Sequence, residues 1–173
     1  AVKHGKNVFF TGSAGAGKSY LLRQMIHDLH AKYSKSSGAV AITASTGIAA
    51  CNIGGITLHS FSGVGIGTGT VEQLCRYVRR NRNAVTRWKK TSVLVIDEVS
   101  MIDPKLFEKL ECVARHIRQS AKPFGGIQII MSGDFFQLPP VSQGATSFVF
   151  ESPTWSQGMW QKLLSTQEFG HAD

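Results

Sequence analysis

The chain has 173 residues and a formal net charge of +8, from 19 Lys and Arg against 11 Asp and Glu. Its length suits one globular domain, and an apolar fraction of 42% supplies a core, which excludes a disordered chain. No run approaches the roughly 18–20 apolar residues of a membrane span and no signal-peptide pattern opens the chain, so we expect neither a membrane protein nor a secreted one.

Short apolar runs alternate with longer helical periods along the chain. Residues 7–11 predict a strand that ends in a Gly-rich turn, and the following helix carries its apolar residues on one stripe. A later helix begins at Pro104 with Asp103 as its N-cap. Further strands are predicted at 39–43, 93–96 and 128–131. This alternation predicts an α/β fold with a parallel sheet and helices on both faces.

The cysteine pattern bears on the compartment. Cys51, Cys75 and Cys112 are odd in number and widely spaced. They fit neither a disulfide framework nor a zinc site. We therefore predict buried thiols in an intracellular, reducing compartment.

Residues 12–19 (GSAGAGKS) satisfy the phosphate-loop pattern G-x-x-x-x-G-K-[ST], with a predicted strand before them and a helix after them. Glycines allow backbone N–H groups to curl around a β-phosphate, and the positive end of the helix dipole points at the same place. Lys18 can reach the β- and γ-phosphates, and the Ser19 hydroxyl can ligate Mg²⁺. Nucleotide binding is predicted for Gly12, Ser13, Ala14, Gly15, Ala16, Gly17, Lys18 and Ser19.

A pair of acids follows the apolar strand at 93–96. Asp97 should lie at the carboxyl edge of the sheet, beside the phosphate loop, where it would hold Mg²⁺. Glu98 would orient or deprotonate an attacking water, and this second acid favours a hydrolase over a nucleotide kinase. The alternative is that both acids only cap the end of the strand.

Residues 133–140 (GDFFQLPP) directly follow the fourth predicted strand. Gln137 therefore stands near the carboxyl end of a third strand, where its amide could hydrogen-bond the γ-phosphate or its attacking water. The prediction for Gln137 depends on its lying with the phosphate loop and the Asp97-Glu98 pair, so that three strand ends converge on one phosphate.

Seven basic residues and no acidic one lie between Arg76 and Lys90. One interpretation is contact with a polyphosphate backbone, which a positive field attracts. The other is a packed helix whose basic face is solvated, because Val78, Val85 and Trp88 are spaced for burial. The sequence leaves both open.

Taken together, the ordered motifs resemble those of superfamily-one helicases, and more narrowly the Pif (petite integration frequency) group of 5′→3′ DNA helicases. The resemblance runs from about residue 5 to residue 155. Residues 106–128 (LFEKLECVARHIRQSAKPFGGIQ) resemble the signature of that group and discriminate it from other ATPases. The remaining matching motifs are GSAGAGKS at 12–19, ASTGIAA at 44–50, GGITLHSF at 54–61, VIDEVSM at 95–101 and GDFFQLPPV at 133–141.

The resemblance implies a RecA-like P-loop NTPase domain that uses ATP and Mg²⁺. It implies catalysis by Lys18 and Glu98, sensing of the γ-phosphate by Gln137, and Mg²⁺ at Ser19 and Asp97. It also implies a single-stranded DNA site, whose physical basis is hydrogen bonding to phosphates and stacking on a ring. That site comprises Thr46, Gly47, His59, Ser60 and Phe61. Core burial of Phe61 and a structural role of His59 are the alternatives.

The resemblance further implies the place of this domain in a longer protein. Residues 1–155 are expected to be the first RecA-like domain, residues 156–173 are unplaced, and the second RecA-like domain, a partner in cis, is absent. The implied function is that of an ATP-dependent DNA helicase in replication, repair, recombination or telomere maintenance, in the nucleus or mitochondrion. G-quadruplexes and RNA–DNA hybrids are further partners that the family often acts on.

Because unwinding needs two domains, and because the family's phosphate-contacting arginine is missing near the end of the chain, we expect little ATP turnover and no unwinding from these 173 residues alone. The alternative is a single-domain module that binds single-stranded DNA under nucleotide control without turnover.

Overall fold

A computed structural model of the chain describes residues 1–13, 15–134, 149–156 and 161–163. For Ser156 and for residues 161–163 it describes the backbone alone. Its centre is a six-stranded sheet in which every paired neighbour is parallel, in the order β3-β2-β4-β5-β1-β6. The strands are β1 (Val8–Thr11), β2 (Val40–Ala44), β3 (Ile56–Thr57), β4 (Val93–Asp97), β5 (Gln128–Gly133) and β6 (Gln161–Leu163). The helices are α1 (Lys18–Lys32), α2 (Gly47–Asn52), α3 (Leu58–Ser62), α4 (Val71–Arg80), α5 (Arg82–Lys90), α6 (Pro104–Arg118) and α7 (Pro153–Ser156). The predicted α/β fold is confirmed.

All four predicted strands are present, with bounds that differ by one or two residues at one or both ends. Strands β3 and β6 were not predicted. Strand β3 has only two residues, too few to show a period. Strand β6 pairs with β1 and lies within residues 156–173, which the sequence pattern left unplaced.

The helix ends follow local chemistry. The Asp103 carboxylate accepts a hydrogen bond of 3.0 Å from the Leu106 amide, and Pro104 occupies the first turn of α6, as predicted. The apolar stripe of α1 is narrower than predicted, because Leu22 is fully buried whereas its neighbour Leu21 is 43% exposed.

Helices cover both faces of the sheet, and alternate strand residues enter two separate cores. On β1, Val8 and Phe10 pack towards α1, whereas Phe9 belongs to the core beneath α3 to α6. The same alternation holds on β4, because successive side chains of a strand point to opposite faces. Because the paired strands are parallel, the carboxyl ends of β1, β2, β4 and β5 lie along one edge of the sheet.

The basic run becomes two helices, α4 and α5, joined at Asn81, whose side chain accepts from the Ala84 amide. Val78 and Trp88 are fully buried, while the basic side chains between them are mostly exposed. The predicted packed face is therefore confirmed, and a solvated basic face accompanies it. Contact of that face with a polyphosphate stays a prediction.

The three cysteines differ in burial. All three cysteines are free thiols, and Cys75 is buried, but Cys51 is exposed, so the prediction of burial is wrong for Cys51. Cys51 lies on α2, which has one buried residue, Ala50, and the cysteine is on the solvent-exposed side of the helix.

Among the described helices, none is long and apolar enough to cross a membrane.

Candidate functional site

The loop between β1 and α1 wraps back on itself because its glycines adopt left-handed backbone angles. Gly15 and Gly17 have φ values of 79° and 82°, which residues with a side chain rarely adopt. Gly17 is also the N-cap of α1, so the loop delivers the first helical amides to the carboxyl edge of the sheet. The predicted residue Ala14 lies outside the described residues.

Lys18, the first residue of α1, directs its ammonium back over this loop. Its Nζ donates to the carbonyl of Gly12 at 2.5 Å and to that of Ser13 at 3.0 Å. It also lies 4.0 Å from the Asp134 carboxylate, and the lysine side chain is only 14% exposed. The ammonium is therefore held over the loop and largely shielded from solvent, and together with the amides at the start of α1 it can bind a phosphate.

Asp97 ends β4 with one carboxylate oxygen engaged by the protein. Its Oδ1 accepts from the Glu98 amide at 2.9 Å and from the buried Ser132 hydroxyl. Among the described residues, no hydrogen bond reaches Oδ2. Ser19 stands in the first turn of α1 and is exposed. A hydroxyl and a carboxylate oxygen are ligands that Mg²⁺ accepts together with waters and phosphate oxygens, so these residues fit the predicted ion.

Glu98 combines a strained backbone with a perturbed carboxyl group. Its φ of 53° and ψ of 45° place a residue with a side chain in the left-handed region. Burial raises the pKa of the Glu98 carboxyl above its ordinary value, and the charge of Asp97 raises it further, against the opposing effect of Lys18. A carboxylate held in this way is suited to accept a proton from water.

The end of β5 brings in two residues to which sequence reasoning gave no role. Asp134 lies near Lys18, and Ser132 donates to Asp97. The position of Asp134 at a strand end was an available signal, whereas a serine within an apolar strand carries none. The predicted Gln137 lies outside the described residues, so its sensing role stays a prediction.

Four of the predicted DNA-contacting residues lie at the same carboxyl edge, after β2 and β3. The Thr46 hydroxyl caps α2 by accepting from the Ala49 amide at 3.2 Å, and Gly47 is exposed beside it. His59 and Ser60 are both exposed on α3, and the Thr57 hydroxyl donates to that of Ser60 at 2.9 Å. These side chains are accessible to a ligand, and their DNA contact stays a prediction.

Phe61 differs from the other four. Its side chain is 1% exposed and packs edge-on against Trp88, with ring centroids 4.9 Å apart. The stacking role predicted for Phe61 is therefore wrong in this structure, because the ring lies in the core, where it fixes α3 against α5. The spacing of Leu58 and Phe61 on a short helix was compatible with burial, as the alternative interpretation held.

Comparison with known proteins gives consistent matches. A model of the PIF1-like helicase family matches residues 1–168. The chain is 50% identical to the ATP-dependent DNA helicase PIF1 of Emericella nidulans over 175 residues, which covers 99% of this chain and 24% of that protein. A crystal structure of Pif1 helicase from Candida albicans superposes with a TM-score of 0.90 at 51% identity, covering 95% of this chain and 37% of that one.

A second solved structure is the Pif1 helicase from Bacteroides in complex with ADP-AlF3 and single-stranded DNA. It superposes with a TM-score of 0.72 at 31% identity, covering 94% of this chain and 38% of that one. The chain thus spans about a quarter of the length of the curated relative and less than two fifths of the two crystallised chains. Over that span it shares their RecA-like domain.

Proposed function

Because this chain belongs to the PIF1-like helicase family, we propose that it is the ATP-binding and ATP-hydrolysing motor domain of an ATP-dependent 5′→3′ DNA helicase. The observation that carries the proposal is the convergence of Lys18, Asp97, Glu98 and Asp134 at one edge of the sheet, beside the phosphate loop. One cation, one metal-binding carboxylate and one candidate base are the parts that hydrolysis of a nucleoside triphosphate needs.

Each residue has a distinct role in this proposal. The loop amides and Lys18 bind the β- and γ-phosphates, and Ser19 and Asp97 hold Mg²⁺, which neutralises charge on the phosphates when bound. Glu98 orients the attacking water and takes its proton. Gln137 senses the γ-phosphate.

The proposed DNA-binding site lies at the same edge of the sheet, at the end opposite the phosphate loop. We propose that Thr46, Gly47, His59 and Ser60 contact single-stranded DNA, which is a partner named for the Bacteroides relative. The net charge of +8 favours binding of a polyanion. In the longer protein, a second RecA-like domain in cis would close on this one with each ATP.

The cellular role is also a proposal, and it is based on the family to which the chain belongs. The relatives are DNA helicases, so we place the protein in the nucleus or mitochondrion, in replication, repair, recombination or telomere maintenance. G-quadruplexes and RNA–DNA hybrids are proposed as further substrates of the longer protein.

The decisive experiment measures ATP turnover with and without single-stranded DNA, on this chain and on a version that also carries the relatives' second motor domain. We expect DNA-stimulated turnover only from the extended version. Strand separation by the 173-residue chain alone would contradict the proposal that it is half of a motor. If neither version hydrolyses ATP while nucleotide changes DNA affinity, the chain is a nucleotide-controlled binding module instead.

A matched pair of variants tests the catalytic assignment in the extended version. Glu98→Gln should lower turnover by about 10²–10⁴-fold, the usual contribution of a general base, while leaving nucleotide affinity unchanged. Glu72→Gln removes an exposed acid on α4 and should change neither quantity. Equal turnover in the two variants would remove Glu98 from the mechanism.

A further inference from the structure

Three consecutive residues at the carboxyl end of β5 stand beside the phosphate site. The Ser132 hydroxyl donates to the Asp97 carboxylate, and the Asp134 carboxylate lies 4.0 Å from the Lys18 ammonium. Gly133 lies between them and has no side chain with which to act. Its contribution is therefore to be sought in what the missing side chain allows to approach.

The segment that follows the candidate base lies directly on this glycine. The chain leaves β4, turns at Glu98 and forms a short 3-10 helix, Val99–Met101. A Cβ on Gly133 would lie 2.9 Å from Val99 Cγ1, 3.1 Å from the Val99 amide nitrogen and 3.2 Å from the Ser100 amide nitrogen. These separations are tighter than ordinary packing, so with an alanine at this position the valine side chain and both amides would have to move.

The backbone of Gly133 itself does not require a glycine. The residue pairs with Thr11 of β1 as an ordinary strand residue, and its φ lies outside the left-handed region. Gly125, just before the other end of β5, differs, because its φ of 61° disfavours any side chain. A glycine inside a strand often marks the close approach of another backbone. At position 133 the missing side chain therefore serves the contact with the 3-10 helix.

This contact bears on the strained backbone of Glu98. A left-handed residue with a side chain persists only where its surroundings hold it. The Met101 amide donates to the Glu98 carbonyl at 3.2 Å, and the Glu98 amide donates to Asp97 Oδ1 at 2.9 Å, which closes the turn. Val99 is fully buried in the core, so the turn cannot move outward without exposing it. Gly133 supports the turn from the sheet side and sets how closely it lies on the end of β5.

We propose that Gly133 is a positioning residue for Glu98. The missing side chain lets the turn settle on the end of β5, and this depth places the Glu98 carboxylate against the attacking water. The inference rests on the proposed function, because it concerns the base of that reaction. The three atoms nearest to a Cβ on Gly133 belong to Val99 and Ser100 and none to the phosphate loop, so a substitution there should disturb catalysis more than nucleotide binding.

The first test separates catalysis from binding with two glycine variants at opposite ends of one strand. In the extended version, Gly133→Ala should lower kcat by roughly 10–100-fold, the cost of a misplaced catalytic group, with unchanged affinity for a fluorescent ATP analogue. The matched control is Gly125→Ala, whose Cβ would lie 2.7 Å from Arg118 Cδ on a strained backbone. It should lower the melting temperature at least as much and leave kcat unchanged. An unchanged kcat in Gly133→Ala, or an equal loss in both variants, contradicts the inference.

The second test relieves the tightest contact. Val99→Ala shortens the side chain that a Cβ on Gly133 would meet first. The double variant should melt at a lower temperature than Gly133→Ala alone, because Val99 is fully buried, yet it should turn over ATP several-fold faster. Opposite changes in stability and turnover exclude a merely structural effect.

A double variant no faster than Gly133→Ala would show that the contact does not position the base. If Gly133→Ala alone does not fold, the double variant is compared with Val99→Ala. Equal kcat values in that pair then overturn the inference.

The third test asks whether Gly133 acts through Glu98. In the Glu98→Gln background the base is already lost, so adding Gly133→Ala should lower turnover little further. Losses that multiply would show that Gly133 acts independently of Glu98, against the inference.

The outcomes distinguish this inference from the proposed function. An unmodified extended version without DNA-stimulated turnover contradicts the proposed function, and the inference fails with it. Normal turnover in Glu98→Gln removes the base on which the inference depends. DNA-stimulated turnover that is lost in Glu98→Gln but fully retained in Gly133→Ala keeps the proposed function and overturns the inference alone.

Discussion

The phosphate loop and the layer formed by α3 to α6 differ in the sequence separation of the contacts that hold them. In the loop, the decisive contacts are local, since Lys18 reaches back only five and six residues to Ser13 and Gly12. In the layer, they are distant in sequence. The Trp88 indole N–H donates to the Ser62 carbonyl at 3.0 Å across 26 residues, and the Arg118 guanidinium reaches the Trp88 carbonyl across 30.

Because of this difference, we expect substitutions in the two regions to have different effects on function and on the stability of the fold. The loop makes few packing contacts, so a substitution there should remove function and leave the fold intact. The layer contains the larger core and, on α3, part of the surface proposed to hold DNA, so a substitution there should alter both. The predictions below test that separation, from the largest expected effect to the smallest.

Lys18→Ala should lower ATP turnover of the extended protein by about 10³–10⁵-fold, if the lysine contributes as much as an arginine that contacts a transferring phosphoryl group. The melting temperature of the chain should change much less than turnover, because the hydrogen bonds of the ammonium among the described residues go to two loop carbonyls and the side chain belongs to neither core. Turnover assays and thermal melting measure the two quantities. Lys35→Ala, at an exposed position just after the same helix, is the control and should leave both unchanged.

Trp88→Ala should destabilise the chain by about 3–5 kcal/mol, the cost of truncating a fully buried aromatic residue. It removes the ring that packs against Phe61 and the donor to the Ser62 carbonyl. Trp88→Phe retains an aromatic ring and should cost roughly half as much, mostly through the unpaired Ser62 carbonyl. Urea denaturation measures both. A loss below about 1 kcal/mol for Trp88→Ala would show that α5 is not an integral part of the core.

The same division explains what the sequence could and could not predict. The phosphate loop was predicted residue by residue, because its geometry depends on glycines and a helix start within one short segment. The burial of Phe61 was left open, because it depends on Trp88, which lies 27 positions away and packs on it only after α5 has folded back. The left-handed backbone at Glu98 has no signal either, because nothing in an Asp-Glu pair specifies φ.

Arg118→Met should destabilise the chain by about 2–4 kcal/mol. The guanidinium donates to the carbonyls of Gly125, Trp88 and Thr91 at 2.8, 2.6 and 2.8 Å, so it ties the end of α5 to the turn before β5. Burial lowers the pKa of the Arg118 guanidinium, but arginine keeps its charge in proteins, so these bonds are charge-assisted. Arg79→Met, at an exposed position on α4, should change stability by less than about 0.5 kcal/mol in the same denaturation assay.

Among the substitutions expected to destabilise the chain, Ser132→Ala should have the smallest effect, about 1 kcal/mol for one buried hydrogen bond. It tests whether a buried hydroxyl positions the proposed Mg²⁺ ligand Asp97. The Ser132 hydroxyl and the Glu98 amide both donate to Asp97 Oδ1, which fixes the carboxylate and leaves Oδ2 without a hydrogen bond from the described residues, as a ligand for the proposed Mg²⁺. Loss of the hydroxyl should raise the Mg²⁺ concentration needed for half-maximal nucleotide binding by several-fold, without changing nucleotide affinity in the absence of the ion.

The matched control for Ser132→Ala is Thr43→Val, on the next strand but one of the sheet. The Thr43 hydroxyl is equally buried and donates to the Val95 carbonyl at 2.6 Å, so its loss should lower stability by a similar amount. Because that carbonyl binds no ion in the proposed mechanism, the Mg²⁺ requirement should stay unchanged. Ser132→Thr keeps a hydroxyl and should restore the Mg²⁺ requirement if the new methyl group is accommodated. An equal shift in Mg²⁺ requirement for Thr43→Val would show that Ser132 acts through general stability, whereas a shift confined to Ser132→Ala assigns it to positioning Asp97.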